Sequence, residues 1–526
     1  MKSRKNFIIC SLIALAIILA FLPVILSDNY LRQDDLTFDV WPGMKFKELG
    51  YLYYNGVFQL VRPFSTFITY LTFLWTMHME NAVYFRLASV LLTAIIAILI
   101  FYWQLLFNKN KTLAACYAIA AFSLPAYQVF VATANYIVVI YPVLLTVLAL
   151  FAWYHSYNRT GYILFFLSLL GYPLSSMFGW CMLAICYLNT RDQDQQFFWS
   201  TAKKIIFLMI CYFLFIKIYH IIFHVKFYFG RSAVIDTSNL INRVLSIFQI
   251  VVVHSALWLY NPMKFQQALQ CFFGINLLLL MAVIKINYQD GFRKIKNYFI
   301  AYIKTVFVLF ALFVIAFSPT MAQTEPNYTF RYTLATMPIL LYILAWSIHV
   351  LSTGLIRNFI FIVLALFGVG YSNLMLADGI VGPHHHDFNY LRTQLAAKAL
   401  PLIKQNKMVA IHLIGCDGMP LRLGKGVPET GEYAMRICQY RNYIESAVSH
   451  VLIQEGYSSN FNKEILTQVD ESLFIVRAPW GLMLIDNNDE QAFPFTTNYE
   501  MVTIDLKNAP LYNRFDFYKN LLTASA

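Results

Sequence analysis

About eleven stretches of roughly 20 apolar residues follow one another through the first 377 positions, and a run of that length is what crosses the hydrocarbon core of a bilayer. Short polar loops separate them. No water-soluble core could hide so many, and the charge needed to keep such a surface hydrated is missing. Only 13% of the 526 residues are charged, against about 25% in ordinary soluble domains. These features exclude a soluble globule, a disordered chain and a disulfide scaffold. The fold class they predict is a polytopic α-helical membrane protein.

The first stretch, Phe7–Leu26, follows Met-Lys-Ser-Arg-Lys and lacks a small-x-small cleavage site before Ser27, so it reads as an uncleaved anchor with a cytoplasmic N-terminus. Further spans are expected near 82–107, 112–131, 137–156, 160–174, 175–189, 203–225, 267–286, 303–319, 333–351 and 357–376. This assignment puts Lys109, Lys111, Arg159, Arg191, Lys203, Lys204, Lys285, Arg293, Lys294, Lys296 and Arg357 on the cytoplasmic side, as the positive-inside rule requires. Two aromatic-rich stretches, Pro63–Met77 and Ser246–Tyr260, would invert that pattern as spans. They read instead as re-entrant or interfacial helices on the outer face.

Charge divides the chain at the end of the last span. Residues 1–377 carry 26 Lys and Arg against 11 Asp and Glu, whereas residues 378–526 carry 13 against 16. The expected organisation is therefore a membrane domain, 1–377, with a first outer loop at 27–81, and an extracytoplasmic tail domain, 378–526. In the tail, Asn389–Lys404 and Gly431–Glu455 have helical spacing, and Met408–Ile414, Leu473–Ala478 and Leu482–Ile485 have strand character, which predicts a small α/β domain. Cys416 and Cys438 are the two tail cysteines, either bridged or two separate thiols. The basic balance carries no stripe with interleaved aromatics, so nucleic-acid binding is not expected.

All 11 carboxylates before residue 378 lie in loops or at span edges, and Asp28, Asp34, Asp35, Asp39 and Glu48 crowd the first outer loop. Ion-coupled transporters place ionisable groups near the midplane, and here Lys217 is the nearest one. Chemistry is therefore expected at the outer interface. Adjacent carboxylates repel, so the Asp34–Asp35 pair suits a general base, though a solvated acidic turn has the same sequence. Arg62, Arg231, Arg243 and Arg331 lie on the outer side, against the positive-inside trend. Phosphate binding would account for them, and so would snorkelling to lipid headgroups.

An N-terminal anchor, Asp34-Asp35 in the first outer loop, the following Arg62-Pro63, many spans and an outer C-terminal domain together resemble the GT-C superfamily of membrane glycosyltransferases. Within it the layout is similar to bacterial O-antigen glucosyltransferases that use polyprenyl-phosphate sugar donors. The resemblance implies a multi-pass protein of the bacterial inner membrane, a hexosyltransferase of the cell envelope that acts on lipopolysaccharide or another outward-facing glycan or glycolipid. It implies Asp34 or Asp35 as base on the acceptor hydroxyl, and Arg62, Arg331 and Arg231 as ligands of the donor phosphate. His78, Glu80 and His254 are candidate pocket residues. Some members hold a divalent metal between two sets of acids. Here the later outer loops offer only Asp236 and Glu325, so no metal or other cofactor is expected. A lipid or glycolipid flippase without ion coupling is the alternative, with the outer arginines as headgroup ligands.

His384-His385-His386-Asp387 follows the last span. Three imidazoles and a carboxylate can ligate zinc, but consecutive residues cannot all face one ion, so an exposed linker is the expectation, with a place near the site as the alternative because the last span ends on the same face. Gly424-Lys425-Gly426 lacks the spacing of a phosphate loop and reads as a turn.

Overall fold

The computed structural model describes residues 2–27, 64–68, 82–133, 137–190, 195–223, 265–287, 295–321, 333–405, 408–414, 465–470, 473–478, 481–486 and 499–505. Each of the eleven apolar segments is helical within these residues. In chain order the bundle comprises α1 (Lys2–Ala20), α2 (Leu22–Leu26), α3 (Ala82–Phe107), α4 (Lys111–Phe122), α5 (Pro125–Ala132), α6 (Ile137–Tyr154) and α7 (Asn158–Gly171). It continues with α8 (Pro173–Ser176), α9 (Phe178–Asn189), α10 (Gln195–Phe223), α11 (Phe265–Asn287), α12 (Ile295–Met321), α13 (Thr336–Leu351) and α14 (Gly354–Met375).

Five helical stretches are long and apolar enough to cross a membrane, in α3, α6, α11, α12 and the helix that begins with α14, and α4 with α5 makes a sixth if the pair counts as one span. Large apolar side chains are exposed along the outside of the bundle, among them Leu12 and Leu15 of α1, Phe207 and Leu214 of α10, and Phe359 and Leu366 of α14. Such a surface is stable in lipid and not in water. The architecture is that of a helical membrane protein.

The breaks between helices have local causes. Pro23 has no N–H to give the preceding turn, and the helix interrupts at Phe21. Pro125 opens α5, which leaves α4 at 55°. Side chains brace that bend: Gln128 Nε2 donates to Ser123 O at 2.8 Å, and Ser123 Oγ adds a second bond to Ile119 O, also at 2.8 Å. Inside α6, hydroxyls of the following helices reach carbonyls around Pro142. Ser168 Oγ donates to Pro142 O and Ser175 Oγ to Val139 O, each at 2.7 Å. In a membrane interior every backbone group needs such a partner.

Close packing explains two glycines. A Cβ on Gly161 of α7 would fall 2.4 Å from the Trp153 ring of α6, and one on Gly368 of α14 would fall 3.3 Å from Ala120 Cα of α4. Trp103 stands in the middle of the bundle, its Nε1 donating to Met182 O at 3.0 Å. Phe107 and Phe151 meet it edge to face.

The two ends of the bundle differ in chemistry. One end carries Lys109, Lys111, Arg159, Lys203, Lys204, Lys285 and Arg357, and is termed the basic end. Side chains lace its helices together. Asn108 Nδ2 donates to Asn189 Oδ1 at 3.1 Å, Lys111 Nζ to Asn6 Oδ1 at 2.6 Å and Lys204 Nζ to Asn158 Oδ1 at 2.7 Å.

At the opposite end, the tail end, α14 does not stop. The helix runs on without a break from Gly354 to Leu402, through a π turn at Leu376–Val381, α15 (Gly382–Gln394), a second π turn at Leu395–Ala399 and into α16 (Leu400–Lys404). Each π turn ends two residues before a proline: the Gly382 N–H reaches Ala377 O ahead of Pro383, and the Leu400 N–H reaches Leu395 O ahead of Pro401. A proline ring collides with the carbonyl four residues back, and the wider turn moves that carbonyl aside. The helix thus passes through position 378, where the charge balance changes.

A five-stranded sheet follows, formed by β1 (Met408–Ile414), β2 (Ile465–Asp470), β3 (Leu473–Ala478), β4 (Gly481–Asp486) and β5 (Tyr499–Asp505) in the order β4-β3-β2-β1-β5. Strand β1 pairs in parallel with both β2 and β5, while β2, β3 and β4 form an antiparallel meander. The sheet is tied to the long helix through β5. Tyr390 Oη donates to Asp505 O at 3.1 Å, and Lys398 Nζ to Thr503 O at 3.3 Å.

Candidate functional site

The tail end gathers buried charge that an apolar bundle would otherwise exclude. Arg86 is the fifth residue of α3 and has no solvent exposure. Its Nη2 donates to Ser27 O at 3.0 Å. Ser27 follows α2 directly, and the last carbonyls of a helix have no partner within it, so a cation there is well placed. Ser27 is also the residue from which the acidic first loop departs.

A second group comes from the extension of α14. Asp378 is 4% exposed, His384 2% and Asp387 1%. The π turn that carries Asp378 packs against α2 on one side and α5 on the other. His384 and Asp387 are three residues apart on α15, the spacing that puts two side chains on one helical face. Every residue from Leu376 to His384 is buried, so this part of the helix is enclosed all round. His385 and His386 are only partly buried, and a ring nitrogen of His385 lies 3.1 Å from Asn389 Nδ2. The expected exposed linker at 384–387 is therefore corrected. The polar residues follow the last apolar stretch but enter protein, because the helix continues and its neighbours close around it.

Burial of ionisable groups is expensive unless they are matched, and Arg86, Asp378, His384 and Asp387 all have interactions beyond those given above. The segments of Arg86 and Asp378 meet at α2, which touches both α3 and the π turn. Among the described residues no three of His, Cys, Asp and Glu converge so as to hold a metal ion.

The site residues expected from the sequence, Asp34, Asp35, Arg62, Arg231, Arg331, His78, Glu80 and His254, lie outside the described residues. So do Arg243, Asp236, Glu325, Cys416, Cys438 and the 246–260 segment. Of the stretch 63–77, residues 64–68 are helical. They dock at the tail end: Ser65 Oγ donates to Gly171 O at the end of α7, and the Phe64 ring meets Tyr141 at 5.5 Å. Two described segments flanking the acids of the first loop, ending at Ser27 and beginning at Phe64, thus sit at the same end as Arg86 and Asp378. Lys217 is exposed on α10 among Leu214, Ile218 and Ile221, facing outward rather than into the bundle.

Sequence reading missed Arg86 and Asp378, whereas Asp387 was singled out only as part of the histidine run. A lone arginine one turn into a 26-residue apolar helix was the available signal for the first. For Asp378 it was the helical spacing that continues past that residue. No protein-family model matches the chain, and neither does any curated protein or solved structure.

Proposed function

We propose that the chain is a membrane glycosyltransferase that moves a sugar from a polyprenyl-phosphate donor to an outward-facing glycan or glycolipid. The observation that carries this reading is the buried set Arg86, Asp378, His384 and Asp387, at the end of the bundle where the acidic first loop begins. In this reading the eleven helical segments of the sequence analysis cross the membrane. The basic end is cytoplasmic, and the sheet belongs to an extracytoplasmic α/β domain of a bacterial inner-membrane protein.

In the reaction, a carboxylate of Asp34 or Asp35 takes the proton of the acceptor hydroxyl as the acceptor oxygen bonds to the anomeric carbon. The bond from that carbon to the phosphate oxygen breaks, and the lipid phosphate leaves with the electron pair. Arg62, Arg231 and Arg331 neutralise the charge that grows on it. Fixed cations act strongly where water is scarce, and the enclosure around Arg86 supports such a setting. No divalent metal or other cofactor enters this scheme.

The test uses membranes containing wild type, Asp34→Asn or Asp35→Asn, with a radiolabelled polyprenyl-phosphate sugar and an acceptor glycan. Loss of transfer in either variant, with the protein still inserted and folded, is the expected result. Undiminished transfer in both overturns the mechanism. The 55° break between α4 and α5, packed against a π turn, favours a second reading as a flippase without ion coupling, because broken helices line many transport paths. Movement of labelled lipid across vesicles without any sugar transfer would select it.

A further inference from the structure

At the basic end, side chains join the ends of α3, α4, α9 and α13 in a closed ring. Asn110 is the N-cap of α4, and its Oδ1 accepts the Leu113 N–H at 3.1 Å. With that oxygen engaged, Nδ2 of the same amide faces His349 Nδ1 of α13 at 3.3 Å. The Asn110 N–H goes to Asn108 Oδ1 at 3.0 Å. Asn108, just past the end of α3, passes its own Nδ2 to Asn189 Oδ1 at 3.1 Å. Asn189 is the last residue of α9, and its Nδ2 donates to Tyr342 Oη. Tyr342 and His349 are seven residues apart on one face of α13, which closes the ring.

The direction of these bonds is fixed. Each asparagine presents its oxygen to an N–H and its nitrogen to the next acceptor, so Asn110 Nδ2 needs a lone pair on His349 Nδ1. Only a neutral imidazole with its hydrogen on Nε2 supplies one. A proton added at Nδ1 sets two donors against each other. The Asn110 amide then has one alternative, to turn its oxygen to the imidazolium, and in doing so it gives up the Leu113 N–H and uncaps α4. One amide thus serves either the helix or the histidine, which makes a two-state element.

The surroundings hold nothing that would compensate a charged imidazole. His349 is half-buried, and Arg357 of α14 is within electrostatic reach of it. Lys285 of α11 is bound to Leu351 O two residues on, and Lys111 of α4 lies next to Asn110, on Asn6 Oδ1 of α1. Helices α3, α4, α9, α11, α12, α13 and α14 carry no acidic residue.

We propose that His349 and Asn110 form a proton-operated clasp, closed while the imidazole is neutral and opened at the N-terminus of α4 when it is charged. Histidine is the side chain whose charge changes within the range over which cellular pH varies. The helix it caps leads through the 55° bend into α5, which packs against the π turn of Asp378. The clasp does not depend on the sugar-transfer reading.

The experiment follows thermal unfolding and amide hydrogen exchange of the full-length protein between about pH 8 and pH 5.5, a range that brackets the ordinary imidazole titration, with each variant read against itself at the upper pH. Because the bond needs the neutral ring, its stabilisation is complete at the upper pH and is lost as pH falls through the titration of the imidazole. In wild type the melting temperature should fall. Exchange at the first turn of α4, corrected for the intrinsic effect of pH, should quicken at least about fivefold, the size expected for a lost cap. His349→Gln, whose Oε1 accepts from Asn110 Nδ2 at every pH, should show neither change. Asn110→Asp should reverse the sign: one carboxylate oxygen caps α4 and the other accepts from the imidazolium, so this variant melts higher as the imidazole gains its proton. Nitrogen NMR of histidine-labelled wild type should find the His349 hydrogen on Nε2 at the upper pH, and a hydrogen on Nδ1 there overturns the proposal whichever variant folds. An equal fall in wild type and His349→Gln, no change in wild type, or a fall in Asn110→Asp like that of wild type also overturns it.

Discussion

The guanidinium of Arg86 has no access to solvent, and one of its nitrogens closes the end of α2 through Ser27 O, so its replacement tests how the first loop is rooted. Arg86→Ala removes the donor and leaves its partners buried. A destabilisation of about 3 kcal/mol is expected, read as a lowered midpoint in detergent unfolding. Arg86→Lys keeps a charge and one bond but not the planar fork, so its loss should be smaller. At Asp387 the change is chemical rather than steric. If the buried His384–Asp387 face takes part in proton movement, Asp387→Asn should cut sugar transfer by at least about 100-fold with little change in melting temperature. Parallel loss of folding and transfer would make the carboxylate structural. These residues show where sequence reading stops. Hydropathy reports how much apolar surface a segment offers, not what covers its polar groups, so Asp387 buried by protein and an aspartate in water look alike. Arg86, in the second turn of its helix, looks like an ordinary span edge.

Elements were more legible than contacts, because a helix that crosses a membrane announces itself by composition over some 20 residues. Each of the eleven expected segments contains helix among the described residues, five or six of them long and apolar enough to cross a membrane, and Met408–Ile414, Leu473–Ala478 and Gly481–Asp486 fall where strands were expected. Strands β2 and β5 were not anticipated. Ile-Leu-Thr-Gln-Val-Asp and Tyr-Glu-Met-Val-Thr-Ile-Asp mix polar with apolar residues, and their pairing with β1 is a long-range event that no local pattern fixes. How closely two helices approach is equally silent in sequence, and Gly368 is the place to probe it. A side chain there meets the backbone of α4 at Ala120, which cannot turn aside as a flexible side chain would. Gly368→Leu should therefore part α14 from α4 and cost about 1–3 kcal/mol, measured by thermal unfolding beside Gly370→Leu, where a Cβ meets nothing.

For the molecule as a whole, the concentration of lysine and arginine in the loops at one end of the bundle makes a claim about sidedness that intact cells can test. A membrane-impermeant maleimide should label Thr503→Cys on β5 from outside and should reach Lys109→Cys at the basic end only after permeabilisation, each judged against the unsubstituted protein. The reverse pattern would turn the protein over and remove the first loop from the outer face. The unbroken helix from Gly354 to Leu402 adds a mechanical side to this arrangement. Its 49 residues reach about 70 Å, more than twice the thickness of a ~30 Å hydrocarbon core. In the proposed topology the half beyond the bilayer is a mast, and Tyr390 and Lys398 rig the sheet to it. With an arm of about 40 Å, a tilt of only about ten degrees at the π turn would swing the far end by about 7 Å, roughly the width of a sugar ring with its hydroxyls. Small adjustments of packing around Asp378 would thus be geared up into large displacements of the sheet, and the two prolines mark the joints at which such a lever would flex.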